Sequence, residues 1–117
     1  MNVYEKLMTV QTKLRAPKGQ YNSFGKYSYR SCEDILEALK PLLAEVGAIV
    51  NVSDEIKLIG NRFYVEATAS FIDVETGERM IAKASAREAE TKKGMDDSQV
   101  TGSVSSYARK YALNGLF

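Results

Sequence analysis

The stretch Arg62-Phe-Tyr-Val-Glu-Ala-Thr-Ala-Ser-Phe-Ile-Asp-Val74 alternates between apolar residues and the residues that separate them. Alternation with a period of two is typical of a β-strand that has one buried face. The predicted buried face consists of Phe63, Val65, Ala67, Ala69 and Phe71. This alternation decides the fold, because the segments on either side of it have the same period.

Those flanking segments are Ala48–Ile59 and Arg79–Ala89, and tight turns at Gly60-Asn61 and Glu75–Glu78 separate them from the middle strand. Short turns between alternating segments predict two hairpins, and hence a three-stranded antiparallel meander. The core-facing residues of the third strand are small ones, which allow a helix to pack very close to the sheet: Met80, Ala82, Ala84 and Ala86.

The opposite face of the third strand carries Arg79, Lys83 and Arg87, one base at every fourth residue. At the rise of a β-strand this row is ~13 Å long. Such a row can follow a phosphate backbone. It can equally be an ordinary solvated face whose bases pair with carboxylates such as Glu66 and Asp73, and the sequence leaves both interpretations open.

Two amphipathic helices are predicted before the meander. Residues 2–14 place apolar residues at helical spacing, and Pro17 and Gly19 are predicted to end this helix. A second helix begins after Ser31, a residue suited to an N-cap, and ends at Gly47. Pro41 is expected to bend it. Its core stripe is predicted to be Ile35, Leu36, Leu39, Leu42, Leu43 and Val46.

A last helix, capped by Asp96 or Asp97, contains Gly102-Ser-Val-Ser-Ser-Tyr107-Ala-Arg109-Lys110-Tyr111-Ala-Leu-Asn-Gly-Leu-Phe117. Tyr107 and Tyr111 share one face and are predicted to pack this helix against the sheet. The small residues Gly102, Ser103 and Ser106 permit close approach of another backbone, as at a subunit interface. Arg109 and Lys110 offer charge to an anionic partner, although a core helix with an incidental basic pair has the same composition.

The predicted fold class is therefore α+β, with a three-stranded antiparallel β-meander packed against helices. A chain of 117 residues fits one domain, here residues 1–117. No apolar run reaches the ~18 residues of a membrane span, and no signal peptide is visible. One cysteine, Cys32, excludes an intrachain disulfide and is typical of a reducing compartment, so a cytoplasmic location is expected.

Composition also restricts the chemistry. The chain contains no histidine and one cysteine, which excludes a structural zinc site and a Ser-His or Cys-His nucleophile. No phosphate-binding loop motif is present. A metal-dependent nuclease built on Glu90, Lys92 and Asp73 is a weak alternative, since the Glu-x-Lys triplet is common by chance. No metal or other cofactor is predicted.

Charge is distributed unevenly along the chain. Residues 1–30 have a net charge of +5, residues 31–78 of −7 and residues 79–117 of +3. The first of these segments mixes bases with aromatics between Lys18 and Arg30, a combination typical of single-strand binding, in which charge follows the backbone and rings stack on bases. Lys26 and Arg30 are the candidate contacts there, whereas Tyr27 and Tyr29 are predicted to be core residues that anchor the loop, with stacking on bases as the alternative. Lys92 and Lys93, in a glycine-containing loop, are further candidates.

Three ordered motifs resemble the ERF (essential recombination function) family of phage single-strand annealing proteins. The run from Ser106 to Phe117 is similar to the closing signature of that family, and Gly94-Met-Asp-Asp-Ser-Gln-Val-Thr-Gly102 to the segment that leads into it. Phe24-Gly-Lys26-Tyr27-Ser-Tyr29-Arg30, followed by Glu33–Leu39, resembles the amino-terminal signature. Together the motifs cover most of the chain from about Tyr21 onward.

This resemblance implies ATP-independent binding of single-stranded DNA and annealing of complementary strands during phage recombination, without catalysis. It also implies a β-β-β-α core similar to that of RAD-type annealing proteins. Assembly into a homo-oligomeric ring or filament follows from it too. A phage exonuclease and a host single-strand-binding protein are candidate partners, and the location is the bacterial cytoplasm. Family members continue beyond the equivalent of Phe117 into an acidic segment and a tail, so this chain is expected to be a core.

On this resemblance the DNA contacts are expected first at Arg109 and Lys110, next at Lys92, Lys93, Arg79, Lys83 and Arg87, and then at Lys26 and Arg30. A protein-interaction module that uses Tyr107 and Tyr111 and binds no nucleic acid is the alternative from a different class. Salt dependence distinguishes the two, because an apolar interface responds weakly to salt.

Overall fold

The computed structural model describes residues 1–23, 25–87 and 97–117, with the backbone alone for Asn22, Tyr27, Tyr29 and residues 97–103. Its elements run α-β-β-α-β-β-β-α. They are α1 (Val3–Lys13), β1 (Gln20–Asn22), β2 (Tyr27–Tyr29), α2 (Cys32–Val46), β3 (Ala48–Ile59), β4 (Arg62–Asp73), β5 (Arg79–Arg87) and α3 (Asp97–Leu116). The predicted α+β class is confirmed.

The main sheet has the strand order β3-β4-β5 and is antiparallel throughout. Its register runs from Ala48 opposite Asp73 to Ile59 opposite Arg62, and β5 pairs with β4 from Arg79 to Arg87. Gly60 turns the chain between β3 and β4 with a φ of 63°, in the left-handed region that favours glycine. The meander and its two turns lie where the alternation predicts them. A separate short hairpin, β1–β2, lies between α1 and α2.

The three helices pack on the sheet face that carries Val65, Ala67, Ala69 and Phe71, all of them buried. The core is completed by residues of α1, α2 and α3, together with the first residue of β3: Val3, Leu7, Val10, Cys32, Ile35, Leu39, Val46, Ala48, Ala108, Ala112, Leu113 and Leu116. The other sheet face remains exposed along β5, at the positions of Arg79, Ile81, Lys83, Ser85 and Arg87. The sheet therefore separates a helical layer from an uncovered face.

Helix α3 approaches β5 very closely. A Cβ atom placed on Gly115 would lie 2.9 Å from the Cβ of Ala82, a distance that two such carbons do not tolerate. The sheet-facing side of α3 is otherwise Ala108 and Ala112, both buried. The predicted role of small residues in close helix packing is thus confirmed for the sheet.

The prediction that Tyr107 and Tyr111 pack α3 against the sheet is wrong. Their side chains are 45% and 55% exposed. The reason is the same close approach, since a helix that meets the sheet through Ala108, Ala112 and Gly115 leaves no room for rings between the layers. The two tyrosines therefore lie on the outer side of α3.

Helix α2 begins and ends as predicted. Ser31 is its N-cap, its hydroxyl accepts a hydrogen bond from the Asp34 amide, and the Asp34 carboxylate accepts one from the Ser31 amide. Gly47 ends the helix in a left-handed conformation with a φ of 78°. Helical structure continues through Pro41, which is exposed. Of the predicted stripe, Ile35, Leu39 and Val46 are buried and the remaining three leucines are partly buried.

An ion pair between buried side chains attaches α1 to the end of β4. Lys6 Nζ lies 2.8 Å from Asp73 Oδ1. Asp73 therefore does not pair with the basic row of β5, as one interpretation of that row supposed, and it shares the core face with Phe71 because both lie at odd positions of β4.

The core face of the sheet is exposed near the Gly60 turn. Phe63 lies on the predicted core face, yet its side chain is 51% exposed. Within the described part of the chain, no helix is long and apolar enough to cross a bilayer.

Candidate nucleic-acid interface

A groove lies between α3 and the segment that leads into α2. It consists of two adjoining open depressions, of about 260 and about 570 Å³, which share Lys110 in their walls. The first is lined by Ser31, Cys32, Glu33, Ser106, Tyr107 and Lys110, and the second by Ala16, Pro17, Lys18, Ser28, Arg30, Lys110, Tyr111 and Asn114. We call this surface the α3 groove.

One wall of the α3 groove is aromatic. Tyr107 and Tyr111 are one helical turn apart, and their rings stack with centroids 6.5 Å apart and planes inclined by 17°. The Lys110 Nζ lies 5.5 Å from the centroid of the Tyr111 ring. Two exposed π-faces and a cation are therefore presented side by side on the outer surface of α3.

The other wall holds cations on the segment before α2. Arg30 is half-buried, and its Nη2 donates a hydrogen bond of 2.8 Å to Asn114 Oδ1 of α3. This contact holds the guanidinium against α3, in the depression that Tyr111 also lines. Lys18 lies in the same wall and is exposed. The segment before α2 and helix α3, which are far apart in sequence, thus place three cations around one depression.

The groove ends at the amino terminus of α2. Among the lining residues that the structure describes, Glu33 is the one carboxylate, against Lys18, Arg30 and Lys110. The amide of Ser31 donates a hydrogen bond to Asp34, and this bond lowers the pKa of that carboxyl. Burial raises the pKa of the Cys32 thiol, so the thiol is neutral here at physiological pH. The lining is therefore net positive, which favours an anionic ligand.

Arg109, the first choice from the sequence, lies outside the groove lining. Its Nε is 3.1 Å and its Nη2 3.2 Å from the two carboxylate oxygens of Asp54 on β3, and Ser105 also donates a hydrogen bond to Asp54. These contacts lower the pKa of Asp54, and the bond to Asp54 raises the pKa of Arg109. The guanidinium thus attaches α3 to the sheet rather than pointing into the groove beside Lys110.

The row of Arg79, Lys83 and Arg87 lies on the exposed sheet face, on the opposite side of the sheet from α3. Lys83 Nζ is 3.9 Å from Glu66 Oε1, and Lys57 Nζ is 3.0 Å from the same atom. Lys83 has a carboxylate partner, as the interpretation of the row as a solvated face expects. Arg79 and Arg87 form no ion pair with any described residue, which is consistent with contact to a phosphate backbone. The row does not join the α3 groove.

The remaining candidates are dispersed. Lys26 is in the turn of the β1–β2 hairpin with a φ of 54° and is exposed. Gly102 and Ser103 lie within α3, and Ser106 is exposed in the groove lining. Lys92 and Lys93 lie outside the described residues, as do Phe24 and Asp96, and the side chains of Tyr27 and Tyr29 are not described.

Lys18, Ser28 and Asn114 line the α3 groove but were not predicted as site residues. The mixture of bases and aromatics between Lys18 and Arg30 contained a signal for Lys18. Asn114 carried none, because its contribution depends on the contact with Arg30, 84 positions away.

The structure does not support the nuclease alternative, because Asp73 is not placed to act as the metal ligand that this alternative requires. Asp73 is 1% exposed and bound to Lys6, so its carboxylate is not accessible to a metal ion and a substrate. Across residues 1–23, 25–87 and 97–117, no three Cys, Asp or Glu side chains are placed to hold a metal.

The fold and the groove define a small α+β domain with a cationic, aromatic surface, the combination used by proteins that bind single-stranded nucleic acid. The chain belongs to the ERF superfamily, whose family model matches residues 3–117. It is 62% identical over 114 residues to the essential recombination function protein of Salmonella phage P22. That alignment covers 97% of this chain and 54% of the phage P22 protein, so the chain spans about half of its relative's length. No solved structure matches.

Proposed function

We propose that this chain binds single-stranded DNA in the α3 groove and promotes annealing of complementary strands during phage recombination. No catalytic group and no ATP take part. The similarity to the essential recombination function protein of phage P22 supports a role in recombination. The observation that carries the proposal is the stacked, exposed pair Tyr107–Tyr111 beside Lys110, with Arg30 held by Asn114 in the same groove.

This arrangement supplies what single-strand binding requires. Exposed rings stack on bases of any sequence, worth about 1 to 3 kcal/mol per base. Cations on both walls reduce the repulsion between the phosphates of two strands and release counterions on binding. Because an open groove leaves the base edges accessible, a second strand can pair with the bound one. The basic row of β5 is a separate surface that would contact only DNA extending beyond the groove.

The experiment is annealing of two complementary fluorescent oligonucleotides with EDTA present and no nucleotide, beside a binding titration by fluorescence anisotropy. Acceleration over spontaneous pairing supports annealing without metal or ATP. Lys40→Ala, which removes an exposed lysine of α2 outside the groove, is the matched control for Lys110→Ala. The absence of both DNA binding and accelerated annealing at low salt would overturn the proposal.

Two further proposals follow from family membership. The first is a homo-oligomer, since annealing over a long strand requires a repeated surface. The second is contact with a phage exonuclease or a host single-strand-binding protein in the bacterial cytoplasm. Both concern the whole protein, of which this chain covers one part.

The alternative is a protein-interaction module, which is favoured by the exposure of Tyr107 and Tyr111, because tyrosine is enriched at protein interfaces. Binding that weakens little with added salt and requires no DNA would favour this module over the annealing proposal.

A further inference from the structure

One of the two depressions of the α3 groove has cations but no carboxylate in its described lining. It is the depression of about 570 Å³ that contains Lys18, Arg30 and Lys110, and its other described lining residues are neutral. The adjoining depression, by contrast, includes Glu33. Positive groups that converge without a counter-charge repel one another, so this arrangement favours an anion from outside the protein. We call it the Arg30 depression.

Arg30 is held in this depression by a neutral partner. Its Nη2 donates a hydrogen bond of 2.8 Å to Asn114 Oδ1, and it forms no ion pair with any residue that the structure describes. Several other basic side chains pair with carboxylates, namely Lys6, Lys13, Lys40, Lys57, Lys83 and Arg109. A partner without charge distinguishes Arg30 from these side chains.

Helix α3 thus takes part in two guanidinium contacts of opposite electrostatic effect. Arg109 lies 3.1 Å and 3.2 Å from the two carboxylate oxygens of Asp54, which neutralise it. Asn114 offers Arg30 an amide oxygen, which has no net charge. Both partners fix the orientation of a guanidinium, but only the amide leaves its positive charge available to a ligand.

The Arg30 guanidinium is suited to a phosphate. A guanidinium has five N–H donors in a planar fork, and two of them match two oxygens of one phosphate. Lys110 lies one helical turn before Asn114, so both side chains project from the same side of α3 into the depression. A long side chain that is already ordered loses less conformational freedom when the ligand binds.

We infer that the Arg30 depression is a subsite for one backbone phosphate of the bound strand and that Asn114 is its positioning residue. The amide of Asn114 orients the Arg30 guanidinium toward the phosphate and keeps its charge. The inference rests on the proposed function, and it specifies which part of the α3 groove takes the phosphate and how that part is prepared.

The test is binding of a short fluorescein-labelled oligo(dT) at several salt concentrations, measured by anisotropy. Arg30→Ala should flatten the slope of log affinity against log salt by about 0.7, the value for one phosphate contact. Asn114→Asp should flatten it equally, although every cation is still present, because a carboxylate of the same size neutralises Arg30. The matched control is Asn51→Asp, which adds the same charge at an exposed position opposite Ser70 on the uncovered sheet face and should scarcely change the slope.

Asn114→Ala tests the positioning role separately. It should weaken binding by about 2- to 10-fold, which corresponds to the cost of ordering one long side chain on binding. In an Arg30→Ala background the same change should have no further effect, because Asn114 acts through Arg30. Asn114 is exposed, so the melting temperature of each variant should stay near that of the wild type.

Three results would overturn the inference while the wild type still binds oligo(dT). They are a wild-type slope for Asn114→Asp, a wild-type affinity for Asn114→Ala, and an equal effect of Asn114→Ala with and without Arg30. A wild type that does not bind at low salt would instead overturn the proposed function, so the two failures are distinguishable.

Discussion

Lys6 Nζ lies 2.8 Å from Oδ1 of Asp73, and this contact joins α1 to the carboxyl end of β4 across 67 positions of sequence. The amide of Glu75 donates a hydrogen bond to the same oxygen, which also fixes the turn into β5. The Lys6 ammonium lies close to Gly47, where α2 ends. One ion pair thus connects two helix ends, a strand and a turn.

Replacing Lys6 by Met should destabilise the protein strongly, because it leaves the Asp73 carboxylate buried without a counter-charge. Asp73→Asn should also destabilise the protein, because it leaves the buried ammonium with the exposed carboxylate of Glu75, 3.7 Å away, as its remaining counter-charge. The control is Lys40→Met, which removes the exposed pair of Lys40 with Glu37 and should change the free energy of unfolding by no more than about 0.5 kcal/mol. Urea denaturation measures all three. Equal effects of Lys6→Met and Lys40→Met would contradict the role of the buried pair.

The same pair predicts a pH dependence with two limits. The hydrogen bond between the two groups lowers the pKa of Asp73 and raises that of Lys6. The contribution of Asp73 is fully present above the unfolded-state pKa of about 3.9 and is lost as the pH falls through the lower folded-state pKa. That of Lys6 is fully present below about 10.4 and is lost as the pH rises through its higher folded-state pKa.

In Lys6→Met the Asp73 carboxyl stays buried without a counter-charge, which raises its pKa above the unfolded-state value. The stability difference between wild type and Lys6→Met should therefore begin to shrink on acidification already above a pH of about 3.9, and on the alkaline side it should shrink as the pH rises through the folded-state pKa of Lys6. Denaturation curves recorded as a pH series measure this difference, and a difference that does not change on acidification would show that Asp73 is not responsible.

Close packing of α3 on β5 predicts that Gly115→Ala destabilises the protein. A Cβ at 2.9 Å from the Cβ of Ala82 forces the layers apart, at a cost of about 1 to 3 kcal/mol, from which the better helix propensity of alanine subtracts about 1 kcal/mol. In an Ala82→Gly background the collision disappears, so Gly115→Ala should there be neutral or stabilising. Thermal melts of the four proteins in this cycle measure the coupling, and additive effects would argue against the contact.

The order of the elements other than the β1–β2 hairpin was predictable, because each of them depends on a local pattern. Alternation gave β3, β4 and β5, with Gly60 at a turn, and Ser31 and Gly47 gave the ends of α2. Periodicity could not predict which side of α3 packs on the sheet, since Val104, Tyr107 and Tyr111 form as regular a stripe as Ala108 and Ala112. What selects the alanine stripe is the row of alanines on the sheet, a tertiary property that only the assembled layers reveal.

The residues of the candidate site were predictable in part, because some of them also follow a local pattern. A basic residue with aromatic neighbours can be found in sequence, and Lys110 and Arg30 were found in this way. The sequence does not reveal which cation pairs with a carboxylate, because Asp54 lies 55 positions before Arg109. The adjacent pair Arg109-Lys110 therefore looks uniform in sequence, yet its members have different roles in the structure.

That difference is testable with two variants. Lys110→Ala should weaken binding of single-stranded DNA and flatten its salt dependence, by about 0.7 in the slope of log affinity against log salt for one phosphate contact. Arg109→Ala should instead lower stability modestly, by no more than about 1 kcal/mol for a partly exposed pair, and leave the slope unchanged. Anisotropy titrations at several salt concentrations measure the slopes. The reverse pattern would place Arg109 in the interface.

The tyrosine pair predicts an affinity effect without a salt effect. Because Tyr107 and Tyr111 are exposed, replacing both by Ala should scarcely change the melting temperature but should weaken DNA binding by about 1 to 3 kcal/mol for each base that stacks on a ring. The salt slope should stay the same, since no phosphate contact is removed. Replacing both by Phe keeps the rings and should keep the affinity. If the Phe variant binds as weakly as the Ala variant, hydroxyl hydrogen bonds rather than stacking make the contact, and the groove recognises its ligand in another way.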